Sequence, residues 1–154
     1  MNRRSEIGRW TNCLVSADAM LYMLDTNICI HLMRHQPPQV QERFQRLSQG
    51  EVVMSAISHA ELCHGMELCP DPDRRQAASS LKQLIHRVPV LAFDGDAAAQ
   101  YGRLAALVRD RRRDALDRLI ASHALNVGAI LVTNNEADFA DYPGLTVENW
   151  VRQP

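Results

Sequence analysis

Short apolar runs that suit β-strands alternate with helical patterns along most of this chain. The strand-like runs cover residues 21–24, 52–54, 90–93, 129–132 and 145–147. Between them, apolar residues recur at the three- and four-residue spacing of amphipathic helices. Strands that alternate with helices need crossover connections, which make the strands parallel and place helices on both faces of the sheet. The sequence therefore predicts an α/β fold with a mostly parallel central sheet.

The size and charge of the chain limit what it can be. Its 154 residues, 46% hydrophobic and 23% charged, suit one domain with a substantial core. The net charge of −1 gives no overall attraction for nucleic acid, so an anionic partner would be held by local patches or by a bridging metal ion. We expect the domain at residues 20–150, an extension at 1–19 that is either disordered or an over-extended start, and a C-terminal tail at 151–154.

The cysteines and the first residues indicate the compartment. The four cysteines have no C-x-x-C spacing, and residues 1–19 are too polar for a secretion signal. We therefore expect reduced thiols and a cytoplasmic protein. No run approaches the roughly 18 apolar residues of a membrane span, so we expect no membrane partner.

Four acidic residues stand where an α/β sheet would end a strand or open a helix. They are Asp25, Glu61, Asp117 and Asp138. Ligands of open α/β sheets bind at the carboxyl ends of the strands, where these side chains would gather. Their charges would repel one another and raise some of their pKa values unless a divalent cation balanced them. Because Mg²⁺ takes oxygen ligands, the sequence predicts a carboxylate site for this ion.

Each of these acids also has an ordinary structural interpretation. Asp25 can cap the helix after it, and Asp117 can be a first-turn acid favoured by the helix dipole. Glu61 can lie on a solvated helix face, and Asp138 can stabilise a turn.

Other polar residues suggest weaker hypotheses. His59 and Cys63 are four apart on one helix face, but no second pair stands at the spacing that would complete a zinc site. His123 fits a hydrogen-bonded packing residue better than a catalytic base. The arginine-rich stretch 109–113 fits a solvated helix end and a phosphate contact about equally.

Five short segments occur in a specific order. They are residues 23–30 (MLDTNICI), 55–62 (SAISHAEL) with Gly65, 117–124 (DRLIASHA), 131–135 (LVTNN) with 138–139 (DF), and 144–145 (GL) with 149–150 (NW). In this order they resemble the PIN-domain ribonuclease toxins of VapC type. The resemblance spans residues 20–150. Any one segment is a weak signal, but five in sequence within one domain are specific.

The resemblance implies a three-layer α/β/α PIN-like fold whose acidic pocket binds Mg²⁺ or Mn²⁺ and hydrolyses RNA phosphodiester bonds, leaving 5′-phosphate and 3′-hydroxyl ends. It makes Asp25 and Asp117 the principal metal ligands and Glu61 and Asp138 the supporting ones. Asn27 and Thr133 match neighbouring polar positions of the family. Residues 111–116 lack the family's usual Gly/Pro loop, which leaves Asp114 as a competitor for Asp117.

The resemblance further implies the toxic component of a type II toxin–antitoxin system. Its partners would be an RNA substrate, either tRNA or mRNA, a cognate antitoxin protein and a second copy in a homodimer. The alternative is a catalytically silent PIN-like module that binds RNA or protein. A receiver-type signalling domain would need a lysine at a strand end, whereas Lys82, the only lysine, lies in a helical pattern. A haloacid-dehalogenase-like phosphatase would need an aspartate where Asn27 stands.

Overall fold

A computed structural model describes residues 19–108 and 115–152, in which strands and helices alternate as the sequence predicts. The elements are β1 (Tyr22–Leu24), α1 (Thr26–Met33), α2 (Pro38–Gln45), β2 (Val52–Ser55), α3 (Ala56–Glu67), α4 (Asp73–Arg87), β3 (Val90–Leu91), α5 (Gly95–Leu107), α6 (Ala115–Val127), β4 (Ile130–Val132), α7 (Glu136–Phe139) and β5 (Val147–Glu148).

The five strands form one sheet in the order β3-β2-β1-β4-β5. Every neighbouring pair in it is parallel, with Met23 of β1 opposite Val53 on one side and Leu131 on the other. The prediction of a mostly parallel sheet is therefore confirmed. Parallel strands end at the same edge, so the residues that follow β1, β2 and β4 lie side by side.

Two hydrophobic clusters cover the two faces of the sheet. Side chains of a strand point alternately to opposite faces, and β1 follows this rule: Tyr22 and Leu24 join the first cluster, whereas Met23 joins the second. The first cluster packs against helices α1 to α4, and the second against α5 to α7. The structure thus has three layers, α/β/α, and the polar residues at the ends of β1 and β4 lie between two rigid packed layers.

Several boundaries differ from those that the sequence predicts. The edge strands are shorter or displaced: β3 ends at Leu91, and β5 begins only at Val147. An edge strand has one neighbour to pair with, so its length follows that pairing more than its own apolar pattern. Asp138 lies in the short helix α7. The amide of Asp138 closes the first turn of this helix by donating to the carbonyl oxygen of Asn135 at 3.0 Å. Glu61 neither ends a strand nor opens a helix, because it is inside α3.

Some predictions fall outside the described residues. They concern Asp114, the arginine-rich stretch 109–113, Cys13 and nearly all of the N-terminal extension. Among the residues that the structure describes, Cys29, Cys63 and Cys69 are free thiols. None of the helices in residues 19–108 and 115–152 has the length and apolar character needed to cross a membrane.

Candidate active site

Asp25 lies directly after β1, in the middle of the sheet edge. Its backbone amide donates to the carbonyl oxygen of Val132 at 2.9 Å, which continues the pairing of β1 with β4 by one residue. Only 6% of Asp25 is exposed. Asp25 also occupies the N-cap position of α1, but its side chain makes no capping hydrogen bond. Its carboxylate is directed to another partner.

That partner is Thr133, the first residue after β4. Its hydroxyl donates to Asp25 Oδ2 at 2.5 Å and accepts from the amide of Asn135 at 3.0 Å. Thr133 is fully buried, and its own amide donates to the carbonyl oxygen of Glu148 in β5. The hydroxyl is therefore held between a backbone donor and the Asp25 carboxylate, so its proton is directed to the acid.

The surroundings of Asp25 disfavour its negative charge. Burial raises the pKa of this carboxyl above its ordinary value, and the nearby charge of Asp138 adds to the rise. The Thr133 hydroxyl and the neighbouring backbone amides of Thr26 and Asn27 oppose the rise only in part. A buried carboxylate of this kind is stabilised when a cation binds beside it. Its oxygen atoms are the donor type that hard divalent cations prefer.

Glu61 approaches the same edge from helix α3. Ser55 caps the start of this helix by accepting a hydrogen bond from the amide of Ile57 at 3.1 Å. Six residues later, the half-buried Glu61 accepts from the Thr26 hydroxyl at 2.8 Å. Thr26 follows Asp25 in the chain, so one residue of α1 stands between the two acids.

The other candidate residues occupy helix starts around this edge. Asp117 is half-buried in the first turn of α6, and Asp138 is half-buried in α7. Asp138 is close enough for its charge to act on Asp25. Asn27 is half-buried in the first turn of α1.

The structure brings these groups together in pairs. Asp25 is joined with Thr133 and lies near Asp138, while Glu61 is joined with Thr26. Within residues 19–108 and 115–152, no three His, Cys, Asp or Glu side chains converge closely enough to hold a metal ion. This covers His59 and Cys63 as well as the carboxylates. The assignment of four carboxylate ligands therefore stays a prediction, which the oxygen-rich donor set fits.

Two polar contacts at this edge are not evident from the sequence motifs. The first is the hydrogen bond from the Thr26 hydroxyl to Glu61, for which the only sequence signal is a hydroxyl residue directly after the central acid. The second is the pair formed by His123 Nδ1 and Ser55 Oγ, which lie 2.8 Å apart with both residues buried. The prediction that His123 is a hydrogen-bonded packing residue is confirmed, and its ring also meets Phe93 edge-on at 5.4 Å.

A groove of about 380 Å³ opens beside Glu61 between helices α1, α3 and α4. Its walls are mainly apolar, and include Ile30, Met33, Met66 and Leu81. Arg34 and Asp73 stand among its polar lining residues. The groove thus combines an apolar floor with an acidic residue of the candidate site.

The sequence and the fold match known proteins over most of their length. The PIN domain family model matches residues 22–145. The tRNA(fMet)-specific endonuclease VapC of Shigella flexneri is 37% identical over 131 residues, which are 84% of this chain and 97% of the relative. Ribonuclease VapC2 of Haemophilus influenzae (strain ATCC 51907 / DSM 11121 / KW20 / Rd) is 34% identical over 132 residues, which are 84% and 98% of the two chains.

Solved structures show the same relationship. A chain of VapBC2 from Rickettsia felis, bound to a DNA fragment from their promoter, superposes with a TM-score of 0.78 at 32% identity, covering 85% of this chain and 99% of that one. A chain of DNA-bound VapBC from Salmonella typhimurium gives 0.76 at 34% identity, covering 85% and 98%. The resemblance read from the five segments is confirmed, and the chain belongs to the PIN domain family, among the VapC ribonucleases.

Proposed function

We propose that this protein is the toxic endoribonuclease of a type II toxin–antitoxin system, and that it hydrolyses RNA phosphodiester bonds at a site built from Asp25, Glu61, Asp117 and Asp138. The observation that carries the proposal is the buried Asp25 carboxylate at the strand ends, with its raised pKa and its Thr133 hydrogen bond. In a chain of the VapC ribonucleases, a buried carboxylate of this kind is stabilised by a bound cation.

Ribonucleases of the PIN family depend on a metal ion, and we propose Mg²⁺, with Mn²⁺ as a substitute. Asp25 and Asp117 would be its principal ligands, and Glu61 and Asp138 would support it. Such a cation lowers the pKa of a bound water and offsets negative charge on the phosphate. Carboxylates alone supply neither effect, since they repel the RNA backbone.

The polar neighbours of the acids hold them in place. The Thr133 hydroxyl fixes Asp25 Oδ2, and the Thr26 hydroxyl fixes Glu61 Oε1. Supporting hydrogen bonds of this kind orient ligands before the cation and substrate arrive. In this arrangement Thr133 and Thr26 are positioning residues, and Asn27 completes the polar rim.

We further propose tRNA in the cytoplasm as the substrate, because two relatives that match 84% of this chain are named tRNA(fMet)-specific endonucleases. The partner would be a cognate antitoxin, in keeping with the VapBC complexes among the solved relatives. An apolar antitoxin segment fits the groove beside Glu61, and a basic side chain on that segment would meet this acid. A homodimer stays a prediction, which light scattering of the purified protein measures.

The test is cleavage of total bacterial RNA and purified tRNA by the isolated protein. Reactions contain Mg²⁺, Mn²⁺ or EDTA, and each is repeated with Asp25→Asn and Asp117→Asn. We expect discrete products that need metal and disappear in both variants. Cleavage that survives both changes would indicate a contaminating nuclease. If folded protein cleaves nothing with either metal, the alternative of a silent RNA- or protein-binding PIN module is favoured.

A further inference from the structure

A buried hydrogen bond joins two helices that carry candidate acids. His123 of α6 is 1% exposed, Ser55 at the start of α3 is fully buried, and His123 Nδ1 lies 2.8 Å from Ser55 Oγ. The Ser55 hydroxyl also accepts from the amide of Ile57, which begins helix α3. One serine therefore ends a central strand, caps one helix and contacts another.

The position of this pair relates it to the site. Asp117 precedes His123 by six residues on α6, and Glu61 follows Ser55 by six residues on α3. At a rise of about 1.5 Å per residue, each acid lies roughly 9 Å along its helix from the link. The link therefore holds the two helices together at one point, and each acid lies within about two helical turns of it.

The ring of His123 suits a fixed link more than a proton carrier. Burial lowers its pKa and the charge of Asp94 opposes this only in part, which favours the neutral ring. A neutral ring keeps one nitrogen as an acceptor. With Nδ1 in that role, Ser55 donates to His123 while it accepts from Ile57. Phe93 packs edge-on against the ring at 5.4 Å and restricts its rotation.

We infer that His123 is a positioning residue for the RNA-cleaving site, which through Ser55 sets the spacing of Asp117 on α6 and Glu61 on α3. The inference rests on the proposed function, because it assigns His123 to the assembly of that metal site. It gives His123 no contact with RNA or metal. Its effect is on how well the two acids are placed when a divalent cation binds.

Four variants separate this role from simple packing. His123→Leu removes the polar atom but keeps an apolar side chain of similar size. His123→Asn restores a polar atom at the position of Nδ1, whereas His123→Gln places its amide near the position of Nε2. The matched control is Ser122→Ala, because Ser122 is the fully buried neighbour whose hydroxyl donates to the carbonyl oxygen of Arg118 at 2.6 Å within the same helix.

Two readouts are measured on folded protein well below its Tm. The first is the Kd for Mn²⁺ without RNA, followed by electron paramagnetic resonance. The second is kcat and KM for tRNA cleavage. Misplacement of a reacting group by about 1 Å can cost roughly 100-fold, so we expect His123→Leu to raise the Mn²⁺ Kd and lower kcat by about 10- to 100-fold, with KM nearly constant. His123→Asn recovers most of both, and Ser122→Ala changes neither.

A double-mutant cycle with Ser55→Ala adds a separate check. Ser55→Ala also loses the cap of α3, but this loss is present both with and without His123→Leu. If the pair acts as one unit, the Mn²⁺ Kd of the double variant is no higher than that of whichever single variant binds Mn²⁺ more weakly. Full additivity would overturn the inference. So would an unchanged Mn²⁺ Kd in His123→Leu, or equal losses in His123→Asn and His123→Gln.

The outcome also distinguishes this inference from the proposed function. Asp25→Asn is measured in the same Mn²⁺ titration. Weaker binding in Asp25→Asn with unchanged binding in His123→Leu refutes only the role of His123. Unchanged binding in Asp25→Asn refutes the metal site itself. If His123→Leu does not fold, the comparison of His123→Asn with His123→Gln decides the question alone.

Discussion

Replacing Thr133 by valine should destabilise the protein measurably at neutral pH. Valine keeps the branched shape of threonine but cannot donate to Asp25 Oδ2 or accept from the amide of Asn135. A hydrogen bond to a charged group contributes about 1.5–3 kcal/mol. The second bond adds roughly 0.5–1 kcal/mol, because water can replace its partner at the exposed Asn135. The free energy of unfolding should fall by about 2–4 kcal/mol, or roughly 6–12 °C in Tm.

This cost should depend on pH through Asp25. Burial raises the pKa of its carboxyl, and the Thr133 hydroxyl opposes that rise. Losing the hydroxyl therefore raises the folded-state pKa further. A carboxyl with a raised pKa stabilises the fold fully below its unfolded-state pKa, and this contribution is lost as pH rises through the folded-state value. The difference in unfolding free energy between wild type and Thr133→Val should widen with rising pH. It should narrow as pH falls toward 3.8, the ordinary pKa of the Asp25 carboxyl.

Urea unfolding in EDTA, repeated between about pH 4 and 8, measures both effects. Thr133→Ser is the control, since it keeps the hydroxyl and loses one methyl group worth about 1 kcal/mol. The reasoning is refuted if Thr133→Val costs no more than Thr133→Ser at pH 7, or if the difference between the two variants does not change with pH.

Three further predictions concern the same edge of the sheet and one helix end. Asp25→Asn should raise Tm in EDTA at neutral pH, because it removes the charge of a buried carboxyl group whose pKa is raised. This gain in Tm should fade as pH falls below the folded-state pKa of Asp25. Thermal melts across pH measure the change, and a lower Tm at pH 7 contradicts the prediction. Thr26→Val removes the hydroxyl that donates to Glu61, so it should lower kcat while the free energy of unfolding falls by only about 1 kcal/mol or less. Thr26→Ser should retain activity, and equal kcat values in the two variants would count against this role. Gly128, just after α6, has φ +68°, a left-handed conformation that strains any residue with a Cβ, although an added Cβ would meet nothing within 4 Å. Gly128→Ala should therefore lower the free energy of unfolding in urea by about 1–2 kcal/mol and leave RNA cleavage unchanged. An unchanged free energy of unfolding would refute the argument from backbone strain.

The central part of the fold could be predicted because its signals are local. The central strands β1 and β4 are continuous apolar runs, and the residues after them are polar. The short helix α7 could not be predicted, since local bonds around Asn135 form it rather than apolar periodicity. The length of β5 depends on its pairing with β4, which no single segment encodes.

The candidate site divides in the same way. Its acids are visible as motif residues, but their partners are not. Thr26 and Glu61 are 35 residues apart, and Ser55 and His123 are 68 apart. Such pairs follow from how the helices pack on the sheet. The local patterns predict the elements, whereas the packing decides which hydroxyl faces which acid.

The contact between Thr133 and Asp25 has a consequence for the order of synthesis. The two residues are 108 positions apart. At about 5–20 residues per second, the ribosome needs roughly 5–20 s to make the chain between them. During that interval Asp25 has neither its hydroxyl donor nor the neighbouring strand β4. A nascent chain therefore has no assembled nuclease centre while most of it is being made, and the hazard of synthesising a ribonuclease beside cellular RNA begins only when almost the whole domain has emerged.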